Sequence, residues 1–275
     1  MPDHIITQVN GEPVDHLPVT DRGLQFGDGL FETIAVRNGR PVWLEQHLLR
    51  LIDGCQRLRF SNLPDSEILR QEASDLCCVQ KDAVLKIMVT RGNSIQGYST
   101  AGVTNPNRIM ILKTDARHTS NASQEGVHVG ICRQPLAINP ALAGIKHLNR
   151  LEQVLARIEC EEHWQEGLML DSNGFVIEGT MSNLFLIRDG MLITPSLERT
   201  GINGITRDMI LSIAQRNGIA CQIRDVLPEE LNVADEIFVC NSLIGIWPVV
   251  QLVDHQWLIG STTRKLQQLL AEVMC

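Results

Sequence analysis

The chain lacks any excess of positive charge: 24 Lys and Arg against 32 Asp and Glu leave a formal net charge of -8 and a pI near 5.5. That balance argues against nucleic acid or an anionic membrane surface as the main partner, while leaving room for a local basic pocket that takes a small anionic molecule. It also lacks long apolar runs; the longest span a few residues, well short of the roughly 20 needed to cross a bilayer. Met1-Pro2-Asp3-His4 carries no basic stretch, so no secretory signal is visible and a cytoplasmic, membrane-free protein is expected. The 8 cysteines are scattered, with no C-x-x-C and no cysteine–histidine spacing of the zinc kind, so reduced thiols and no metal are expected. Internal repeats and low-complexity tracts are absent too. What remains is an ordinary globular composition, 44% hydrophobic and 20% charged, in 275 residues, enough for two modest domains.

Short strands and turns open the chain. Ile5 to Val9 is apolar and Asn10-Gly11 is a hairpin signal; Phe31 to Arg37 alternates, and Asn38-Gly39 turns it back. From Trp43 to Leu58 apolar residues recur at three- and four-residue steps, predicting an amphipathic helix with Arg50 beside its stripe. Asp65 to Cys77 is a second predicted helix. Ala83 to Thr90 and Ile109 to Lys113 are predicted strands around a loop over 91–107. The polar stretch Thr114 to Glu125 reads as an interdomain linker. Beyond it come a strand at Val127 to Ile131, a helix from Leu148 to His163, and strands at Leu168 to Leu170 and Phe175 to Glu178. Leu184 to Arg188 and Met191 to Thr194 form a hairpin over Asp189-Gly190. A helix over Thr206 to Asn217, strands at Ile237 to Cys240 and Trp247 to Leu252, and a helix from Ser261 complete the pattern. With hairpins throughout, α+β in two domains fits better than a regularly alternating parallel sheet.

Four separated features suggest chemistry. Lys146, after the small-residue turn Ala143-Gly144-Ile145 and before a helix, can be held with its amine aimed into a cleft, where a desolvated lysine forms Schiff bases or acts as a base. Glu178-Gly179-Thr180-Met181-Ser182-Asn183 sets a carboxylate at a strand end, followed by small polar donors; in isolation it is a capped turn with a solvated glutamate. Gly201-Ile202-Asn203-Gly204-Ile205-Thr206-Arg207 leads into a helix whose first N–H groups suit an anion, though it is neither a Walker nor a dinucleotide motif. His47-Leu48-Leu49-Arg50-Leu51 offers a half-buried arginine needing an anionic partner, either a phosphate or a structural carboxylate.

In this order and spacing the features resemble the fold-type IV pyridoxal-phosphate enzymes, the branched-chain and D-amino-acid aminotransferase-like family, over about residues 10–248. The resemblance implies a small N-terminal α/β sandwich (1–113), a linker (114–125), and a larger C-terminal pseudo-barrel domain (126–275) carrying the Schiff-base lysine, with the cofactor between the domains. It implies pyridoxal 5'-phosphate bound to Lys146, Glu178 on its ring nitrogen, Ser182 and Asn183 beside it, and Arg50, Ile205, Thr206 and Ser242 around its phosphate. Family members are homodimers, with the loop around Arg91 to Ser99 near the partner's site.

Within the family, Gln25-Phe26-Gly27-Asp28-Gly29, Gly97-Tyr98-Ser99-Thr100 and above all the run Leu142 to Gln153 are similar to bacterial aminodeoxychorismate lyases. The implied reaction eliminates pyruvate from 4-amino-4-deoxychorismate to give 4-aminobenzoate, a step of folate biosynthesis; the alternative is a D-amino-acid or branched-chain aminotransferase. Branched-chain enzymes usually carry a tyrosine shortly after the lysine. This chain's one tyrosine is Tyr98, and Asn149 occupies that region instead. Phe26, Phe31, Arg91, Tyr98 and Asn149 are thereby expected to meet substrate, Arg91 being the candidate for a carboxylate because Gln96 stands where several relatives have arginine.

Overall fold

The computed structural model describes residues 5–114, 121–160 and 164–274, which form two compact units. The first comprises residues up to 118 together with Ile145–Asn149, and the second comprises Thr119–Gly144 and Arg150 onward. The Lys146 segment thus clusters with the first unit, although its sequence neighbours on both sides belong to the second. The reason is main-chain pairing: Phe31 N donates to Lys146 O at 3.0 Å and Leu148 N to Gly29 O at 3.0 Å.

In the first unit the elements run β1 (Ile5–Val9), α1 (Arg22–Phe26), β2 (Gly29–Arg37), β3 (Arg40–Pro41), α2 (Leu44–Arg57), α3 (Ser66–Cys77), β4 (Asp82–Thr90) and β5 (Asn107–Thr114). The strands make one antiparallel sheet in the order β1-β5-β4-β2-β3. Along β4, Ala83, Leu85, Ile87 and Val89 are buried and alternate with half-buried residues, the period-2 pattern of a sheet covered chiefly on one face. α2 packs against β2 and α3 through Leu48, Leu51 and Cys55. α3 starts at the N-cap Asp65, whose carboxylate accepts from Glu67 N and Ile68 N, a cap typically stabilising by about 1 kcal/mol. Asn10-Gly11 and Asn38-Gly39 turn with φ 54° and 87°, and 52° and 76°, the left-handed pairs that tight hairpins require.

The second unit runs α4 (Ala122–Glu125), β6 (Val127–Ile131), α5 (Leu151–Glu159), β7 (Glu166–Leu170), β8 (Val176–Gly179), β9 (Asn183–Arg188), β10 (Met191–Pro195), α6 (Ile205–Arg216), β11 (Cys221–Arg224), α7 (Pro228–Leu231), β12 (Glu236–Asn241), β13 (Gly245–Leu252), β14 (His255–Gln256) and α8 (Ser261–Val273). Six of its strands close on themselves in the order β9-β12-β13-β6-β7-β8, because β8 also pairs with β9. Val129, Leu168, Val176, Leu184, Val239 and Trp247 share one buried cluster of this barrel. α8 packs against α6 and β13, so β9 and β12 are buried along almost their whole length instead of alternating. The fold is therefore the expected α+β type, a small sheet-and-helix unit and a larger barrel-like one.

Differences from the sequence reading are local. The predicted linker contains the helical turn α4, with residues 115–120 outside the described set. The helix expected over Leu148 to His163 spans Leu151–Glu159, and 161–163 lie outside the described residues. The short strand β3 is the return of the hairpin signalled by Asn38-Gly39, whereas α1, α7, β11 and β14 have no counterpart in the sequence pattern. No helix among the described residues is long and apolar enough to cross a membrane.

Candidate active site

In the second unit three turns are tied together at one end of the barrel. Glu178, on β8 and 3% exposed, accepts from Ile202 N at 2.9 Å, and Asn183 Nδ2 approaches it at 3.4 Å. The same amide donates to Ile202 O at 2.9 Å, fastening the 201–204 loop to β9. A Cβ on Gly204 would come within 1.9 Å of Asn183 Oδ1, so only glycine allows this approach. Asn241 Nδ2 donates to Met181 O at 3.0 Å, and its Oδ1 accepts from Leu243 N and Ile244 N, which shapes the turn holding Ser242. Gly144 joins the group through Gly144 N to Gly201 O at 2.8 Å and Asn203 N to Gly144 O at 3.1 Å, two residues before Lys146.

This end of the barrel suits an anion. α6 begins at Gly204, which has no capping side chain, so the first N–H groups lack intrahelical partners and the positive end of the helix dipole is uncovered by any side-chain cap. Thr206 Oγ1 is buried and has no hydrogen-bond partner among the described residues. Arg207 is 5% exposed and reaches Asn203 Oδ1 at 3.2 Å and Pro195 O at 3.1 Å. Burial lowers the pKa of Arg207, and of Arg150, from the ordinary arginine value, opposed at Arg207 first by Asp208 and more weakly by Glu178, and at Arg150 first by Glu178. Glu178 thus sits in the field of two desolvated cations.

Glu166, which the sequence reading passed over, organises the turn after Glu178. It is fully buried and accepts from Thr180 Oγ1 at 2.5 Å, Ser182 Oγ at 2.7 Å, Gly167 N at 2.9 Å, Thr180 N at 3.1 Å and Met181 N at 3.3 Å. The Ser182 hydroxyl, expected beside a cofactor, spends its one proton on this carboxylate. A polar residue opening an otherwise apolar strand was the available signal.

The first unit holds the amine. Lys146 Nζ lies 4.3 Å from the centre of the Phe31 ring, and Lys86 Nζ lies 5.2 Å from the same ring. Next along β2, Glu32 is buried to 1% exposure and takes Arg50 Nε at 2.8 Å and Arg50 Nη2 at 2.5 Å, with His47 Nδ1 at 2.6 Å. Burial alone would raise the Glu32 pKa, but the Arg50 charge and the hydrogen bonds from His47 and Arg50 outweigh it and hold the carboxyl at about 2. An ionised Glu32 only accepts, so His47 carries its hydrogen on Nδ1; its Nε2 is buried without a partner among the described residues. Arg50, expected at a phosphate, is thus oriented by a carboxylate that sequence alone did not pair with it.

The remaining substrate candidates divide. Arg91 is a structural residue here: Nε bonds Asp28 Oδ2 at 2.8 Å, Nη1 the Arg59 carbonyl at 3.0 Å, and Nη2 the Leu58 carbonyl at 2.8 Å. Its guanidinium also lies 4.3 Å from the Phe60 ring and the residue is 7% exposed, so the carboxylate role expected of Arg91 meets a side chain whose three nitrogens already have partners. Asn149 Nδ2 donates to Gly27 O at 3.0 Å, linking the lysine segment to the turn after α1. The Phe26 and Tyr98 rings meet at 5.3 Å between centroids, tilted by 53°, with Tyr98 87% exposed.

Comparison with known proteins gives the family. The family model for amino-transferase class IV matches residues 29–252. Aminodeoxychorismate lyase of Vibrio harveyi is 35% identical over 94% of this chain and 97% of its own. D-alanine aminotransferase of Listeria monocytogenes is 29% identical over 92% and 89%. The crystal structure of 4-amino-4-deoxychorismate lyase from Pseudomonas aeruginosa superposes with a TM-score of 0.93 at 47% identity, covering 97% of this chain and 98% of that one. The chain belongs to the class IV aminotransferase family, the pyridoxal-phosphate enzymes of fold-type IV.

Proposed function

We propose that the chain is a 4-amino-4-deoxychorismate lyase, releasing pyruvate and 4-aminobenzoate. The residues fit the cofactor: the orphaned Thr206 hydroxyl and the uncapped start of α6 offer an anion site, and the buried Glu178 carboxylate a partner for a protonated ring nitrogen. Lys146 would carry pyridoxal phosphate covalently, Glu178 would hold the ring-nitrogen proton with Asn183 and the Glu166-bound Ser182 nearby, and Ile205 N–H, Thr206, Ser242 and Arg50 would surround the phosphate. When bound, pyridoxal phosphate supplies an electron sink for charge developing at the amine-bearing carbon.

Lys146 then does the proton work. With the substrate's amine in its place, the freed Lys146 amine would take the proton from that carbon of aminodeoxychorismate, the enolpyruvyl C–O bond would break as the ring becomes aromatic, and the proton would pass to the departing enol, which ketonises to pyruvate. Phe31 sets one apolar wall beside the Lys146 amine, which keeps the amine partly desolvated and able to exchange its proton. With Arg91 engaged, Lys86, whose amine faces the same ring, is the cation we assign to a substrate carboxylate, beside Phe26 and Tyr98 as apolar contacts. A homodimer, as family members form, is part of this reading.

The observation that carries the lyase reading over a transaminase is the likeness, 47% identical across 97% of the chain, to a lyase of known structure. Asn149, in place of the tyrosine usual in branched-chain enzymes, supports it. Purified holoenzyme tests it: a lyase turns over aminodeoxychorismate without a keto acid, a transaminase stays idle until one is added. Lys146→Ala is the control and is expected to lose both cofactor absorbance and turnover.

A further inference from the structure

The loop between β4 and β5 is unusual in how it is held. Residues 95–100 are all exposed, so packing of their side chains cannot fix them. Its base is secured by Asp21, whose Oδ2 accepts from Thr90 Oγ1 at 2.6 Å and Asn107 Nδ2 at 2.8 Å. Its tip rests on one buried side chain. Arg22, 3% exposed, donates from Nη1 to Gly97 O at 2.6 Å and Ser99 O at 3.1 Å, and from Nη2 to Tyr98 O at 3.3 Å. Its Nε is taken by Asp28 Oδ2 at 2.8 Å, and its guanidinium lies 5.0 Å from the centre of the Phe26 ring, on which Tyr98 also leans. Gly97, at φ 58°, supplies the left-handed bend that brings successive carbonyls onto one planar fork.

We propose that Arg22 is a positioning residue that fixes the main chain of residues 97–99, so that Gln96 and Tyr98 are presented to substrate in a geometry independent of their own side chains. Because only carbonyls are gripped, the loop can change its side chains, as at Gln96, without losing its path. Asp28 holds the clamp in orientation, and Phe26 backs it. The part of this inference that concerns substrate rests on the lyase reading; the clamp itself does not. Lysine in place of Arg22 keeps the charge but has no planar fork, so it cannot reach three carbonyls and Asp28 together.

Tyr98 is the chain's only tyrosine, so protein labelled with 3-fluorotyrosine gives one fluorine resonance that reports this loop alone. In Arg22→Lys holoenzyme that resonance is expected to move most of the way to its position in urea-unfolded protein; an unmoved resonance overturns the clamp. With aminodeoxychorismate, the variant is expected to raise KM about tenfold with kcat within about twofold, the loss expected for charge-assisted bonds that order a binding loop. A fall in kcat at unchanged KM overturns the positioning role. A wild type that releases no pyruvate would fail the lyase reading and leave the fluorine result to decide the clamp. Should Arg22→Lys not fold, native wild-type protein decides: chymotrypsin is expected to cut slowly after Tyr98 despite its exposure, and rapid cleavage there overturns the proposal.

Discussion

Replacing Glu32 with glutamine removes the charge that orients Arg50 while changing almost no volume. The carboxyl is held at about 2 against an ordinary value of 4.5. A pKa depressed on folding contributes stability that is fully present above the unfolded value and is lost as pH falls through the folded one. Here that contribution is about 3 kcal/mol near pH 7 and about 1 kcal/mol near pH 3. Glu32→Gln should therefore destabilise the apoprotein by about 3 kcal/mol near neutrality, within the range for breaking a buried ion pair, and by visibly less in acid. Arg50 then keeps its charge half-buried with that carboxylate gone. Cofactor phosphate would offset part of the loss, so the gap between variant and wild type should shrink in the holoenzyme. Urea unfolding of both forms at the two pH values reads all of this. A loss that is the same in acid as at neutrality, or the same with and without cofactor, would refute the link between Glu32, Arg50 and the phosphate.

Thr206→Val removes a hydroxyl with no partner among the described residues; it should leave apoprotein stability unchanged or higher by about 1 kcal/mol while weakening cofactor binding about tenfold, checked by equilibrium dialysis. Glu166→Gln deprives five donors of a charged acceptor and should cost about 3 kcal/mol in urea unfolding; a loss well under 1 kcal/mol would contradict its role in holding the 180–182 turn. Lys86→Met should raise KM for aminodeoxychorismate about tenfold or more with cofactor affinity unchanged, and an unchanged KM would remove Lys86 from the substrate site.

Where structure is dictated by neighbours in sequence, the reading from sequence succeeded. Asn-Gly and Asp-Gly pairs carry their own left-handed preference, so turns at Asn10, Asn38 and Asp189 were legible. The α2 stripe needs only its own spacing. β11 was not legible because Cys221–Arg224 is mostly exposed and is held by parallel pairing to β10 from outside the segment. α1 is five residues long, too short for a periodic signal, although Asp21 caps it and Gly27 ends it at φ 65°. The site divides in the same way. The anion-binding start of α6 is local and was visible, whereas the buried charges are pairings across the fold. Arg91 is the sequence candidate for a carboxylate because of Gln96, and its partners Asp28, Leu58 and Arg59, more than thirty residues away, leave no local sign. Glu32 with Arg50, Glu166 with Ser182, and Arg22 with residues 97–99 escaped for that reason. A carboxylate inside an apolar strand, as in Leu30 to Val36, was the one sign that could have flagged the first of them.

The most direct test of the central claim is the stoichiometry of products from aminodeoxychorismate, using holoenzyme, no keto acid and no amino donor. The lyase account expects pyruvate and 4-aminobenzoate to appear together, one for one, and neither to form with Lys146→Ala. Pyruvate that appears only after a keto acid and an amino donor are supplied, or 4-aminobenzoate that never appears, would contradict it.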